Sequence, residues 1–332
     1  MGEDRLSCLT YAPVIIPTLC RYNHFRACLE SLMKCTHADK TDVFIGLDYP
    51  LKQSHWEGYE KIRTYIESIK DCHPFKKLVV VEREKNYGFG KNGNARLLIE
   101  YVLTQYDRYI FTEDDNILSP GFLDYINKGL TIYENDESIM GIIGYRSYYD
   151  YKFDTNTFFK QNVDYLAWGY GIWRDRRVEL TDLTSGWFRK QLSIRKLIDF
   201  RKTNGNYRCL SWLQFAFSKG IPVCDDMMSV YIGLTGKNVI MPRITLVKNI
   251  GIDGSGVHFN KITPDLQKNF DNQSIYDQPI FDYVGTGDEY YNENRKITVE
   301  SSYKRIEDRD FVIAILKMFF RKCRTVINVF FK

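Results

Sequence analysis

Short apolar runs alternate with longer amphipathic stretches through the first 145 residues, and this rhythm leaves few architectures open. APVIIP at 12–17 predicts a buried strand, followed by a helix over about 23–36. VFIGLD at 43–48 predicts a second strand. Over 55–70, Tyr59, Ile62, Ile66 and Ile69 share one helical face. KLVVVER at 77–83 is a third strand, with a Gly/Asn-rich loop and a helix over about 93–106 behind it. RYIFTE at 108–113 is a fourth, and SIMGIIG at 138–144 a fifth. Strand and helix units at this spacing build a mainly parallel sheet with helices on both faces, an α/β fold.

Past Tyr145 the pattern weakens. Residues 145–165 read as loop, 190–202 and 207–219 as helices, and 238–247 as a strand. Residues 251–296 are rich in Gly, Asp, Asn and Tyr and predict a long loop region. The expected organisation is a first half over 1–145, a second half of the same domain over 146–300, and a helical tail over 301–332.

Chemistry concentrates in RYIFTEDDNILSPGFL, 108–123. A strand runs into Glu113, Asp114 and Asp115, and a helix is expected soon after, with Ser119 as its N-cap and Pro120 as its first residue. Three carboxylates in one turn repel each other, so a cation must compensate them. At the carboxyl end of a strand in an α/β sheet, a ligand crevice opens. A hard divalent ion would use one or two such carboxylates and fill its other sites with phosphate oxygens and water. A solvated acidic turn is the other reading.

Bulk properties narrow the classes. A net charge of +4 is too small to argue for nucleic acid, and no basic run with interleaved aromatics precedes the tail. The eight cysteines show neither CxxC nor zinc spacing, so reduced thiols are expected. MGEDRLSCLT lacks a signal-peptide pattern, and no window is long and apolar enough for a membrane span. A cytoplasmic location is the expectation. The 24 Tyr, 21 Phe and 5 Trp suit clefts for flat or sugar-like ligands, and equally a large core.

PVIIPTLCRYNHFRACLESL, a strand ending in Asp48, NYGFGKNGN and EDDNILSPGFLDY occur in that order. Together they resemble a nucleotide-sugar-dependent glycosyltransferase of the GT-A fold, of the type found in bacterial polysaccharide clusters. The N-acetylglucosaminyltransferase of the N-glycan pathway is a more distant likeness. The resemblance covers roughly residues 11–260. It implies a metal-dependent enzyme, inverting at the anomeric carbon, that moves a hexosyl or N-acetylhexosaminyl group from a UDP-sugar to a glycan hydroxyl. The expected setting is O-antigen or capsule assembly.

The resemblance also implies site residues. Pro17, Thr18 and Arg21 fall where the first strand meets the first helix, and Arg21 would contact the nucleotide; a helix-surface arginine is the alternative. Asp48 would accept the uracil imide N–H, although Asp-Tyr-Pro also makes an ordinary turn. Asn86, Gly88 and Lys91 lie in a loop able to approach phosphate, or simply in a strand-to-helix turn. Asp115 would ligate Mn2+ or Mg2+, completed by His258, with Asp114 on the ribose or a metal-bound water and Glu113 behind them. Trp168 and Gly169 would frame the donor sugar, or pack as a core Trp beside a bend. Asp225 and Asp226 stand where inverting relatives keep the catalytic base, and a helix N-terminus also favours Asp. Relatives often carry a bulky aromatic just before this pair, and Cys224 departs from that. Asp253 is a second candidate for the catalytic carboxylate.

In the tail, Lys317, Arg321, Arg324 and Asn328 form one stripe among apolar residues, with no acidic residue after Asp310. Docking on an anionic membrane near a lipid-linked acceptor and packing against the body both fit this pattern. Two rival functions are weighed. A nucleotidyltransferase would need a glycine- and basic-rich signature just after the first strand, and PTLCRYNHF is not one. A non-catalytic carbohydrate-binding protein would not need Asp115.

Overall fold

The computed structural model describes residues 10–90, 92–146, 158–162, 164–220, 224–242, 245–251, 253, 307–313 and 315–316. Among these, β1 (Val14–Thr18), α1 (Tyr22–Met33), β2 (Asp42–Leu47), α2 (Trp56–Ile69), β3 (Lys77–Glu82), α3 (Asn94–Leu103) and β4 (Arg108–Phe111) come in the order the alternation predicts. Then come β5 (Asn116–Leu118), α4 (Phe122–Ile132), β6 (Ile139–Ile143), β7 (Phe158–Gln161) and β8 (Tyr170–Trp173). The second half continues with α5 (Arg174–Thr181), α6 (Ser185–Lys190), α7 (Ile194–Phe217), α8 (Asp225–Thr235), β9 (Asn238–Pro242) and β10 (Val247–Asn249).

The strands form one large sheet in the order β3-β2-β1-β4-β8-β6-β9-β7, and a small one of β10 and β5. Pairs β1–β2, β2–β3, β1–β4 and β6–β9 are parallel. β8 runs antiparallel between β4 and β6, and β7 antiparallel to β9. The fold is α/β, with a largely parallel sheet covered on both faces.

Alternation along each strand decides the two cores. Val14 and Ile16 of β1 with Val43 and Ile45 of β2 meet Phe25, Leu29 and Leu32 of α1 and Ile62 of α2. Ile15 and Phe44, one step out of phase, meet Leu98, Ile99 and Val102 of α3. With both faces buried, these strands carry continuous apolar runs instead of alternating ones.

Several expectations need correction. The helix expected to start at Pro120 begins at Phe122, because Ser119 is spent on a turn. Its Oγ accepts the Gly121 N–H at 3.2 Å and its carbonyl accepts the Phe122 N–H at 3.0 Å. The strand expected over 238–247 is two strands in different sheets, β9 and β10. The region 145–165, expected as loop, contains β7, and the glycine-bearing 167–171 runs into β8. The two helices expected near 190–202 and 207–219 do form: α7 consists of two helical pieces that meet at a non-helical Gly205 with φ 77°.

Candidate functional site

Parallel β1 and β4 are neighbours, so the residues just beyond each strand emerge at the same sheet edge. From β1 come Thr18 and Arg21, and from β4 come Glu113, Asp114 and Asp115. Pro17 sits within β1 opposite Gly46. Arg21, at the N-cap of α1, bridges the two aspartates. Its Nη2 donates to Asp114 Oδ1, and its Nη1 lies 2.7 Å from Asp115 Oδ2. Thr18 Oγ1 donates to Asp114 Oδ2 at 2.8 Å, and Asn249 Nδ2 donates to Asp115 Oδ1 at 2.8 Å. All four aspartate oxygens therefore have partners. The compensation expected for this turn comes, in this structure, from the guanidinium of Arg21.

Burial opposes the Arg21 charge, but Asp114 and Asp115 outweigh it and raise its pKa. Asp114 is pushed up by burial; Arg21 pulls it back and Asp115 pushes it further. Glu113 is pushed well above the usual carboxylate range. Burial is the main cause, the charges of Asp115, Asp225 and Asp114 add to it, and Arg21 offsets only part. One guanidinium cannot balance three carboxylates, so Glu113 is the group that best holds a proton.

A strap formed by β10 and the residues after it closes over this turn. β10 pairs with β5, setting Asn249 opposite Asn116. The Ile250 N–H then donates to the Asp115 carbonyl at 2.8 Å, and the Gly251 N–H to Asn249 Oδ1 at 2.9 Å. Gly251 passes so close that a Cβ there would stand 2.0 Å from Asp115 Oδ2 and 3.0 Å from Arg21 Nη1. Asp253 Oδ2 lies 3.1 Å from His24 Nε2 of α1, tying the strap down.

Asp48, just past β2, is buried and organises the neighbouring loop. Oδ1 accepts the Tyr49 and Tyr87 N–H groups at 3.0 and 2.9 Å. Oδ2 accepts the Gly88 N–H at 2.8 Å and Asn86 Nδ2 at 3.3 Å. Gly88 has φ 56°, the left-handed region a side chain disfavours, which lets this loop turn back on Asp48. Asp48, Asn86 and Gly88 thus form one unit; Lys91 lies outside the described residues.

The second half contributes from the other side. Asp225 and Asp226 open α8 behind Cys224, where helix N–H groups favour carboxylates. Their side chains are held differently. Asp226 accepts Tyr207 Oη at 2.5 Å and Arg208 Nη1 from α7, and Arg208 Nη2 also donates to Asp164 at 2.6 Å. Asp225 Oδ2 accepts the Ala167 N–H at 3.2 Å, and its charge reaches Glu113. Asp225 is thus tied to the Ala167 backbone, while Asp226 is fastened to Arg208. Trp168 packs its ring edge-on against Tyr145, with centroids 4.6 Å apart. Gly169 has φ 76°, and its carbonyl accepts the Gly144 N–H at 2.7 Å.

The donor set around Asp115 suits a hard cation: oxygen ligands on one turn, with carboxylate charge exceeding guanidinium charge. Its arrangement is that of an arginine-compensated cluster. Among the described residues no group of three or more His, Cys, Asp and Glu side chains is disposed to hold a metal ion. His258 lies outside the described residues. His24, Tyr207 and Arg208 join the site without being singled out by sequence, whereas Asn249 and Gly251 belong to a glycine-rich turn, 249–258, that the sequence marks straight after an apolar strand.

No family model matches this chain, and no curated protein does. Solved structures do. TarS of S. aureus matches at 16% identity over 44% of this chain and 24% of TarS, with a TM-score of 0.30. The mannosyltransferase PcManGT of Pyrobaculum calidifontis, solved in complex with GDP-Man and Mn2+, matches at 13% identity over 52% and 50%, with a TM-score of 0.33. A UDP-glucose pyrophosphorylase solved with UDP-glucose matches at 10% identity over 71% and 91%, with a TM-score of 0.36. The match thus spans about a quarter of TarS and half of PcManGT. At these scores the functional reading rests on the geometry above.

Proposed function

We propose that this chain is a nucleotide-sugar-dependent glycosyltransferase whose donor site is the sheet edge after β1 and β4. One observation carries the reading. Arg21 bridges Asp114 and Asp115 at the carboxyl edge of β1 and β4, and Asp225 on α8 is near enough for its charge to act on Glu113 beside them. Such an arrangement lets one end of a reacting centre be gripped while the other is deprotonated.

In this reading the diphosphate of a UDP-sugar lies against Arg21 and the N–H groups at the start of α1. Asp115, with His258, would hold a divalent ion, which when bound stabilises negative charge on the leaving diphosphate. Asp225 takes the proton from the acceptor hydroxyl as that oxygen bonds the anomeric carbon, and the bond to the diphosphate breaks with inversion. Asp226, neutralised by Arg208, positions Asp225. Trp168 offers a ring face to the sugar, and Asp48 fixes the loop beside the nucleobase. The acceptor is a glycan hydroxyl of a surface polysaccharide.

Release of UDP from UDP-sugars, measured with and without Mn2+, tests this. Replacing the base, Asp225→Asn, lowers turnover about 100- to 10,000-fold, and Asp115→Ala removes the response to Mn2+. Full transfer by an Asp225→Asn/Asp226→Asn double variant would refute the assignment. Release of inorganic pyrophosphate from UTP and a sugar 1-phosphate, with no UDP released from UDP-sugars, would identify a nucleotidyltransferase instead.

A further inference from the structure

Exposed large apolar side chains are few among the described residues, and half of them gather on two elements that touch. Ile194 and Ile198 at the start of α7 are 81% and 48% exposed; Val312, Ile313 and Leu316 near the end are 53%, 36% and 51% exposed. Residues 308–313 and 315–316 are helical and lie against α7. Arg201 Nη2 donates to Asp308 Oδ1 at 2.6 Å, Asn206 Nδ2 to the same oxygen at 2.8 Å, and the Arg201 guanidinium covers the Phe311 ring at 5.0 Å. Phe311 is buried, so one side of this helix is already packed and the exposed residues belong to its other sides.

Charge surrounds this apolar surface unevenly. Arg189, Lys190, Arg195, Lys196 and Lys202 are exposed around the start of α7, against Asp199 alone in that stretch. Glu307, Asp308 and Asp310 sit at the first turn of the last helix, and Asp308 is spent on Arg201. Directly beyond Leu316 the sequence KMFFRKCRTVINVFFK adds five basic residues and no acidic one. Apolar side chains ringed by cations, continuing into a basic and apolar segment, match the chemistry of an anionic lipid surface. A protein partner would more often demand a neutral or mixed rim.

We infer that the first half of α7 and the helical residues 308–313 and 315–316 form a docking face for an anionic phospholipid membrane. The face is independent of which nucleotide sugar, if any, the site takes. Geometry connects the two all the same. Beyond the break at Gly205, the second half of α7 carries Tyr207 and Arg208, which hold Asp226. Docking through residues 194–202 would anchor at the bilayer the element whose Tyr207 and Arg208 hold Asp226 of α8, which suits a lipid-borne acceptor.

Flotation of the full chain with phosphatidylcholine vesicles, with or without phosphatidylglycerol, tests the inference. Wild type floats with the anionic vesicles only, and less so as salt rises. Each basic residue at the surface contributes about fivefold to partitioning, so Arg195→Gln/Lys196→Gln weakens it by more than tenfold. Ile194→Ser/Ile198→Ser weakens binding without altering its salt dependence. All four residues are exposed, so thermal melts of the variants match wild type. Wild type that ignores anionic vesicles, or variants that bind them as wild type does, would overturn the inference. So would a wild-type dimer that these substitutions split into monomers without any effect on vesicle binding.

Discussion

Arg21→Ala removes the guanidinium that bridges Asp114 and Asp115. The aspartate side chains are 8% exposed and Arg21 23%, so this is a mostly desolvated cluster. Breaking a buried pair by deleting one partner costs about 3–5 kcal/mol, because the remaining charge is left uncompensated. At roughly 2–4 °C per kcal/mol for a chain of this class, the melting temperature falls by about 6–20 °C. Thermal unfolding followed by circular dichroism in EDTA measures it. Wild-type and variant melts at low and high salt add a check, since a buried pair is screened little. Asp114→Asn in the Arg21→Ala background recovers part of the loss, and the double-mutant cycle gives a coupling energy well above that of a surface pair. Mn2+ stabilises Arg21→Ala more than wild type, because both aspartates are then open to it. An unchanged melting temperature, or no coupling to Asp114, would show that the guanidinium does not hold these carboxylates.

Further expectations concern the surrounding residues. Gly251→Ala drives a Cβ into Asp115 and costs about 1–3 kcal/mol by overpacking; calorimetry checks this, and UDP affinity measured by titration falls with it. Glu113 has a folded-state pKa raised above its unfolded value, so its contribution to stability is present below about pH 4 and lost as pH rises toward the folded value. Glu113→Gln therefore stabilises the protein near neutral pH and flattens that part of the stability–pH curve, as read from urea midpoints in EDTA. Arg208→Met removes the guanidinium shared by Asp226 and Asp164 and is predicted to destabilise by about 3–5 kcal/mol. It lowers turnover more than donor affinity, a split that steady-state kinetics and titration together resolve.

The first half of the fold was legible because local signals agree with tertiary placement. β1, β2 and β4 are apolar runs buried on both faces, β3 is a half-buried apolar run at the sheet's edge, and Tyr59, Ile62 and Ile66 mark the inner side of α2. The second half was less so. β8 is a four-residue strand held between β4 and β6 by long-range pairing, and nothing in Tyr170–Trp173 distinguishes it from the aromatic stretch before it. β10 depends on β5 in the same way. At the site, the run Glu113-Asp114-Asp115 was plain, since like charges at a strand end demand compensation. The source of that compensation was not legible. Arg21 and Asn249 reach the aspartates from far along the chain, through the β1–β4 and β5–β10 pairings. Nor does sequence separate Asp225 from Asp226; the difference comes from Arg208 and Tyr207 on a neighbouring helix.

The central claim concerns where the nucleotide goes. A crystal structure of the protein with UDP and Mn2+ tests it most directly. The account predicts the diphosphate beside Arg21 and the start of α1, with the ion on Asp115 and the strap at Asn249–Gly251 moved off that carboxylate. UDP bound away from the β1–β4 edge, with Arg21 still bridging Asp114 and Asp115, would contradict it.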